Sequence, residues 1–361
     1  MEHNMQYEPQ AGSKALFCLG HPSHALQPEE VVCRVCDALA AHTTLGIYEV
    51  QKLLGIGRSG HAYQAIHQRS GQPVAIKLFP AFMANPELWE AARREVRVTT
   101  ALRHSSILSV FSCSTWSPEQ LDGGSGAHYE WPSDSTSMYL LTLCQYIPGT
   151  LSHFVNYLQK GENQQALYEH GSSPRALVIH VLQQIGSALA TAHARGIAHG
   201  ALVPGNILFS SYERVWVADF GLARLQPPPA PYLPPELYAA AQASQQGNVQ
   251  AYWKAANPAS DQYMFAMLCQ QLLPQTLQKQ DYEPLLPVLN RAIHPKPERR
   301  YPSLQLLIQD LVALTGRPAQ PQLAQQFKQP RWDHIDVFQR LPVHRQARAL
   351  IWLTHGAIAI H

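Results

Sequence analysis

The sequence predicts an α+β protein in which strands precede residue 145 and most helices follow residue 150. Two observations predict the strands: Tyr48–Leu54 alternates polar and apolar residues, and Val74–Lys77 is a short apolar run. A third predicts the helical part, because Arg175–Arg195 repeats apolar residues at helical spacing. Hydrophobic residues make up 46% of the 361 residues, which is enough for a large buried core.

Composition narrows the range of partners. Charged residues account for only 14% of the chain, against about 25% in an average domain. The net charge of +2 offers no electrostatic reason to expect binding to nucleic acid or to an anionic membrane. The N-terminus lacks the pattern of a signal peptide, and Ala349–Ile360 is shorter than the ~18 residues that span a bilayer. We therefore expect a cytoplasmic protein, and the six cysteines do not suggest a disulfide framework.

The first metal candidate lies near the N-terminus. Two short-spaced pairs offer four donors to tetrahedral zinc: Cys18, His21, Cys33 and Cys36. His24 is a substitute for the fourth ligand. The alternative is that Glu29–Ala41 forms an amphipathic helix with its cysteines on the core face. Asp37, in place of a glycine after the last cysteine, counts against a tight zinc knuckle, so both interpretations stay open.

A glycine-rich turn between two strands is the first nucleotide candidate. Gly55, Gly57 and Gly60 have the G-x-G-x-x-G spacing, which lets backbone amides approach phosphate oxygens. A plain glycine-rich hairpin is the commoner explanation for such spacing alone. Lys77 ends an apolar strand at the expected distance and needs a partner if buried. Glu95, on the helix predicted over Glu87–Leu102, is the expected partner.

The middle of the chain alternates between loops and regular elements. Ser112–Ser137 contains Gly, Ser and Pro without periodicity and predicts an extended loop. Met138–Cys144 predicts a strand, and Leu151–Tyr157 starts a helix. On the helix predicted over Arg175–Arg195, His180 and His193 are expected to be packing or surface residues.

A hairpin is predicted around the polar turn at residues 210–213, between the apolar runs Asn206–Phe209 and Val215–Val217. His199 and Asn206 stand before the first strand, and Asp219 follows the second. Because a hairpin brings its two ends together, Asn206 and Asp219 can share one metal ion through oxygen atoms.

At this hairpin the sequence resembles the protein kinase family. Residues 199–206, HGALVPGN, are similar to the family's catalytic loop H-R-D-L-K-P-x-N, and residues 219–221 match its D-F-G. The resemblance covers about Ile47–Thr315 and implies a bilobal kinase-like fold that binds ATP and Mg. The small β-rich N-lobe would carry one helix, and the larger C-lobe would be mainly helical. The catalytic-loop positions are His199, Ala201 and Val203, where the family's aspartate and lysine have become alanine and valine.

The resemblance also implies site residues. Those near the nucleotide would be Gly55, Gly57, Gly60, Ala62, Ala75, Lys77, Glu95, Gln145, Ile147 and Leu208. Cys144 would limit the depth of the adenine pocket, and Asn206 and Asp219 would bind Mg. In structural roles, Glu236 would pair with Arg300 and Asp261 would brace the catalytic-loop backbone.

The domain organisation follows the same resemblance. Residues 1–14 are expected to be a flexible N-terminus, and residues 15–42 resemble the zinc ribbons found ahead of some bacterial Ser/Thr kinase domains. The kinase-like domain would be residues 47–315, with the N-lobe at 47–145 and the C-lobe at 150–315. Residues 316–361 form a C-terminal tail that matches no known motif.

The sequence is compatible with three functions. The substitutions at Ala201 and Val203 favour an ATP-binding pseudokinase that acts on a protein partner with little or no phosphotransfer. A weak Ser/Thr kinase acting on protein substrates is the alternative enzyme, and a nucleotide-free scaffold is the third possibility. Leu222–Leu237 contains no Ser or Thr, so Tyr232 offers its only phosphorylatable hydroxyl.

Overall fold

The computed structural model describes residues 17–27, 30–57, 60–79, 101–116, 118, 139–159, 173–211, 214–220 and 227–315. Within them the chain forms a strand-rich N-terminal lobe followed by a mainly helical lobe, so the predicted two-lobed α+β architecture is confirmed. Among the described residues, no helix is long and apolar enough to cross a lipid bilayer. Glu95 and its predicted helix, residues 1–14 and residues 316–361 fall outside the described residues, apart from the last two residues of that helix.

The N-terminal lobe is built on an antiparallel sheet of six strands in the order β1-β2-β3-β4-β6-β5. The strands are β1 (Thr44–Leu45), β2 (Tyr48–Ile56), β3 (His61–His67), β4 (Pro73–Phe79), β5 (Val110–Trp116) and β6 (Tyr139–Gln145). Side chains alternate between its two faces. One face, here called the cleft face, carries Ala62 opposite Lys77; the outer face carries Tyr63 opposite Ile76.

The outer face holds the apolar core of this lobe. Its buried residues are Leu45, Tyr48, Val50, Tyr63, Ala65, Ile76, Leu78, Trp116 and Leu143, and Leu39 from the N-terminal segment packs with them. Burying this face against the segment before β1 removes an apolar sheet surface from water, at about 25 cal/mol per Å². The N-terminal segment is therefore part of the lobe's core.

Strand β5 corrects one prediction. Residues 112–116 were expected to belong to an extended loop, but they pair with β6 from Ser112↔Leu143 to Trp116↔Tyr139. The run Ser112–Thr115 looks loop-like because its side chains are small and mostly polar. It lies at the edge of the sheet, where backbone pairing to one neighbour suffices and polar side chains meet water.

The larger lobe is a group of helices around one core. The helices are α1 (Leu151–Gln159), α2 (Pro174–His193), α3 (Tyr238–Gln245), α4 (Val249–Ala255), α5 (Pro258–Thr276), α6 (Lys279–Tyr282), α7 (Leu286–Ala292) and α8 (Leu304–Thr315). Helix α2 begins where Ser173 accepts a hydrogen bond from the Ala176 amide, and helix α5 begins with a capping box between Asn257 and Ser260. Both are largely buried, so the segments that end on them are held firmly.

A small three-stranded sheet, packed on the core of the larger lobe, carries the predicted hairpin. Its strands are β7 (Gly149–Thr150), β8 (Ile207–Ser211) and β9 (Arg214–Val217), in the order β7-β8-β9. The predicted hairpin is present, with a register from Ile207↔Val217 to Ser211↔Arg214. Residues 210 and 211, expected in the turn, belong to strand β8 instead. Gly149 is needed for close approach, because a Cβ there would lie 2.3 Å from the Phe209 carbonyl oxygen. The hairpin thus places residues 199–206 and 218–220 beside the cleft face of the N-terminal sheet.

Candidate nucleotide and metal sites

An ion pair between Lys77 and Asp219 lies at the centre of the cleft. Lys77 reaches from β4, opposite Ala62 on β3 and Thr142 on β6, and its Nζ donates to Oδ2 of Asp219. The two side chains are only 16% and 20% exposed. The Lys77 ammonium also lies 5.0 Å from the centroid of the Phe79 ring. A cation from one lobe and an anion from the other therefore meet in a partly desolvated position.

The hairpin places Asn206 beside Asp219. The amide of Ala218 donates to the carbonyl of Asn206 at 2.9 Å, so the residues that flank the hairpin are in register. Asn206 donates its Nδ2 to the carbonyl of Ala201 at 2.9 Å, which directs its amide oxygen the other way. A carboxylate and an amide oxygen on adjacent strand ends are hard donors of the kind that Mg²⁺ takes.

The backbone at Asp219 has a conformation that aims its side chain at the cleft. Its φ is 63°, in the left-handed region that Asp tolerates better than most residues. Phe220 turns the opposite way, is 4% exposed, and packs against the His199 ring with centroids 4.9 Å apart. Nε2 of His199 is 2.9 Å from the Ala218 carbonyl. These contacts hold the Asp219 carboxylate toward Lys77.

The catalytic-loop backbone is tightly held although its functional side chains are missing. The buried carboxylate of Asp261, on α5, accepts hydrogen bonds at 2.7 Å from the amides of His199 and Gly200. Burial raises the pKa of Asp261, but its hydrogen bond to His193 at 2.7 Å and the other nearby donors outweigh burial and lower that pKa. Tyr252 donates to the Gly200 carbonyl at 2.6 Å. His193 was expected to be a packing or surface residue, but it is a partner of Asp261.

Ala201 and Val203 occupy the positions where chemistry would be carried. The Ala201 amide lies 3.2 Å from Nδ1 of His199, and the residue is only 6% exposed. A methyl group and an isopropyl group can neither accept a proton nor carry charge. The sequence between Glu169 and Glu213 contains no Asp or Glu that could substitute from the same stretch.

The residues assigned to the adenine end of the pocket come from strands β4 and β6, from the segment just after β6, and from the hairpin. Ala75 pairs with Cys144 across β4 and β6, Ile147 is buried just after β6, and Leu208 pairs with Trp216 in the hairpin. Gln145 is the last residue of β6, opposite Val74. Burial, followed by the charge of Asp219, raises the pKa of the Cys144 thiol to about 12, so Cys144 stays neutral.

The glycine-rich loop is closed by its own backbone. The amide of Gly57 donates to the carbonyl of Gly60 at 2.8 Å, and Gly55 pairs with Ala62 across the strands. A Cβ at Gly60 would lie 2.0 Å from the Leu78 carbonyl oxygen, so only glycine fits. The loop therefore depends on a close contact between its last glycine and strand β4.

Glu236 and Arg300 form a bidentate ion pair in the larger lobe. Both Arg300 Nη atoms lie 2.7 Å from a Glu236 carboxylate oxygen, and the Arg300 side chain is fully buried. Arg300 also donates to the carbonyls of Ala259 and His294. A buried guanidinium whose donors meet four acceptors in this way is a structural group. It holds the segment after the cleft against helix α5.

Tyr232 is buried in that same segment. It is only 5% exposed, and burial raises the pKa of its phenol to about 12. Its hydroxyl has no hydrogen-bond partner among the described residues. A kinase could not reach this hydroxyl without opening the segment, so the structure gives no support to a phosphorylation switch there.

A second candidate site lies in the N-terminal segment, where four donor side chains converge. They are Cys18, His24, Cys33 and Cys36, and their donor atoms all lie within 4.8 Å of one another. Nδ1 of His24 is 3.3 Å from Sγ of Cys36 and 3.6 Å from Sγ of Cys33. His21, the first choice from the sequence, turns its Nδ1 to the Ser23 hydroxyl at 2.7 Å instead. Three sulfurs and one imidazole at these separations fit tetrahedral zinc.

The backbone around these cysteines has the form of a tight knuckle. The Asp37 amide donates to the Cys33 carbonyl, and the Cys33 amide donates to the Ala38 carbonyl, both at 2.8 Å. The alternative helix is therefore wrong: the described residues 30–41 form turns and bridges. Asp37 adopts a φ of 55°, which supplies the left-handed residue expected from a glycine.

The knuckle amides stabilise thiolate charge. The amide of Gly20 donates to Sγ of Cys18 at 3.3 Å. Burial raises the pKa of Cys33, but hydrogen bonds from the Val35 and Cys36 amides outweigh burial and lower it. Burial and the neighbouring thiols raise the pKa of Cys36 to about 11. A bound cation would be needed to hold all three sulfurs as thiolates at these separations.

Comparison with known proteins agrees with this geometry. A family model described as a protein kinase domain matches residues 48–253. The serine/threonine-protein kinase PknA of Mycobacterium tuberculosis is 29% identical over 184 residues, which cover 50% of this chain and 36% of PknA. Mouse Aurora kinase C is 25% identical over 241 residues, which cover 64% of this chain and 71% of that kinase. This chain thus matches about a third of the length of PknA.

Solved structures show the same fold. The kinase domain of Mycobacterium tuberculosis PknI superposes with a TM-score of 0.52 at 25% identity, covering 77% of this chain and all of that domain. A double mutant of that domain gives a TM-score of 0.56 at 24% identity. The family model spans more than half of the sequence and includes the cleft, the hairpin and the catalytic loop. The chain therefore belongs to the protein kinase family.

Proposed function

We propose that this chain is a pseudokinase that binds ATP and Mg and acts through a protein partner, with little or no phosphotransfer. One observation carries the proposal. The cleft retains Lys77, Asn206 and Asp219 in a close arrangement, while Ala201 occupies the position of the base on a loop held by hydrogen bonds. A loop that had simply decayed would not keep the hydrogen bonds that Asp261 and Tyr252 make to it.

The binding roles follow from the chemistry of these side chains. Lys77 would hold the α- and β-phosphates, and the backbone amides of the glycine-rich loop would approach the same phosphates from the side of the N-terminal lobe. Asn206 and Asp219 would hold Mg, which when bound neutralises phosphate charge. Lys77 and Asp219 pair with each other in this structure. On binding, the nucleotide phosphates would contact Lys77 and the metal would contact Asp219. Glu95, outside the described residues, remains the proposed partner of Lys77 in that state.

The missing groups limit turnover. A general base contributes about 10²–10⁴-fold to a rate, equivalent to about 3–5 kcal/mol of barrier. The valine at position 203 also removes a positive charge from the place where the phosphoryl group would pass. Kinase chemistry relies mainly on positioning and electrostatics, so the competing function is a weak Ser/Thr kinase. The relative PknA is itself named a serine/threonine-protein kinase.

Phosphate transfer distinguishes the two functions. We expect the wild-type chain, incubated with radiolabelled ATP, Mg and a general protein substrate, to transfer no more label than Lys77→Ala. The measurement is label incorporated into the chain itself and into the substrate. Transfer above background that Lys77→Ala abolishes would establish the weak kinase and refute the pseudokinase.

We also propose that residues 15–42 form a zinc module and that residues 47–315 form the kinase-like domain, divided near residues 145–150. The converging donors support the module, and their reduced thiols fit a cytoplasmic location. Residues 316–361 are proposed as a separate tail.

Zinc binding has a matched pair of tests. We expect His24→Ala to lose stoichiometric zinc, because its Nδ1 lies among the three sulfurs, and His21→Ala to keep it. The measurement is zinc content by atomic emission after gel filtration. Equal zinc content in both variants, or loss only in His21→Ala, would contradict this ligand set.

A further inference from the structure

Leu39 joins the N-terminal segment to the sheet that forms the nucleotide cleft. Its backbone amide donates to the Tyr63 hydroxyl at 3.0 Å, and the two residues are 1% and 0% exposed. Tyr63 lies on β3, an interior strand of the sheet, where it pairs with Leu53 on β2 and with Ile76 on β4. The contact is therefore a buried hydrogen bond from the segment before β1 to the middle of the sheet.

The backbone around Leu39 is held by residues that carry or adjoin two of the cluster's sulfurs. The Leu39 carbonyl accepts from the amide of Leu19 at 3.1 Å, and Leu19 follows Cys18 in the chain. The preceding residue, Ala38, accepts from the amide of Cys33 at 2.8 Å. The position of Leu39 is thus set by two turns whose cysteines both point into the four-donor cluster.

The Leu39 side chain belongs to the apolar core on the outer face of the sheet. It is part of the same buried cluster as Val50 and Leu143. Described residues 17–27 and 30–43, by contrast, contain no helix and no strand, only turns and isolated bridges. In small modules of this kind, metal binding supplies folding free energy directly. Metal binding is thus the expected source of order for the segment that presents Leu39.

We propose that zinc bound by Cys18, His24, Cys33 and Cys36 holds Leu39 against Tyr63, and so couples zinc binding to the stability of the sheet in the N-terminal lobe. The inference rests on the proposed zinc module and gives that module a role in the kinase-like domain. Tyr63 is a positioning residue, because it acts on the zinc cluster through Leu39. Coupling is reciprocal, so the contact that lets zinc stabilise the sheet also strengthens zinc binding by the same factor.

The first test compares the full-length chain with zinc bound and after removal of zinc by a zinc-selective chelator. We expect amide hydrogen exchange over β2 and β3 to become about 10-fold faster or more without zinc, within the usual range of coupling. Helix α5, in the other lobe, is the internal reference and should change little. Adding zinc back should restore the slow exchange. Zinc content measured on the same samples shows whether the cluster was loaded.

Two tyrosine variants isolate the contact. Tyr63→Phe keeps a buried ring but removes the hydroxyl that accepts from the Leu39 amide. It should still bind one zinc per chain, but about 5-fold more weakly in competition with a chromophoric chelator, the effect of about one net hydrogen bond. Tyr48→Phe removes the hydroxyl of another buried tyrosine in the same core and should bind zinc as tightly as the wild type does.

The outcomes separate the coupling from the zinc site itself. A wild-type chain that carries zinc but exchanges equally over β2 and β3 with and without it would overturn the coupling and leave the zinc module standing. A wild-type chain that carries no zinc would overturn the module and the coupling together. Zinc affinity that Tyr63→Phe leaves unchanged, or that Tyr48→Phe lowers to the same extent, would overturn the assignment to the contact between Leu39 and Tyr63.

Discussion

Replacing Asp261 with alanine is expected to lower the free energy of unfolding by about 3–5 kcal/mol, because it removes the acceptor at the centre of a buried network. The amides of His199 and Gly200 would lose their acceptor, as would His193. Each unsatisfied buried donor costs about 1–3 kcal/mol. The measurement is chemical denaturation of the wild type and the variant.

A partly exposed aspartate provides the matched control. Asp281→Ala removes a partly exposed carboxylate 4.0 Å from Arg175, where the expected loss is about 0–1 kcal/mol. Because the pKa of Asp261 is lowered in the folded state, its contribution is present above the unfolded pKa of about 3.9 and is lost as the pH falls through the folded value. Similar losses for the two variants at neutral pH would show that Asp261 does not brace the loop.

Restoring the two missing groups is expected to create phosphotransfer. The double variant Ala201→Asp with Val203→Lys should raise label transfer by about 10²–10⁴-fold over the wild type, the usual contribution of a general base. The backbone at position 201 is already held, since its amide contacts His199 and its carbonyl accepts from Asn206. A carboxylate introduced there would therefore start from a defined backbone position.

Two controls make this gain interpretable. The same double variant with Asp219→Asn should stay at background, because the proposed Mg ligand would be lost. The single variant Val203→Lys should show little gain, because it supplies no proton acceptor. A double variant with an intact fold and no gain would mean that the cleft is inactive for a reason other than these two side chains.

The sequence predicts the elements that carry strong local patterns. The buried helix α2 has apolar residues at a clear helical spacing, and the hairpin β8–β9 has two apolar runs around a polar turn. The edge strand β5 is missed because Ser112–Thr115 carries little apolar signal and its stability comes from pairing with β6. Backbone pairing leaves no trace in the side-chain pattern.

The site is partly predictable for a related reason. Spacing identifies the cysteines, but His21 and His24 are both within reach of the same turn, and only the direction of each ring distinguishes them. Asp37 shows that a residue other than glycine can adopt the left-handed conformation when the turn holds it there. The contact of His193 with Asp261 joins residues far apart in the sequence.

The most direct test of the central claim is a thermal-melt titration with ATP, with and without Mg, on the wild type and Asp219→Asn. At a nucleotide concentration of about 100 times Kd, binding stabilises the folded state by about 2.7 kcal/mol, which raises Tm by several degrees. A Mg-dependent rise in the wild type that is lost in Asp219→Asn is the predicted result. Equal melting temperatures with and without nucleotide would contradict it and leave a nucleotide-free scaffold as the better description.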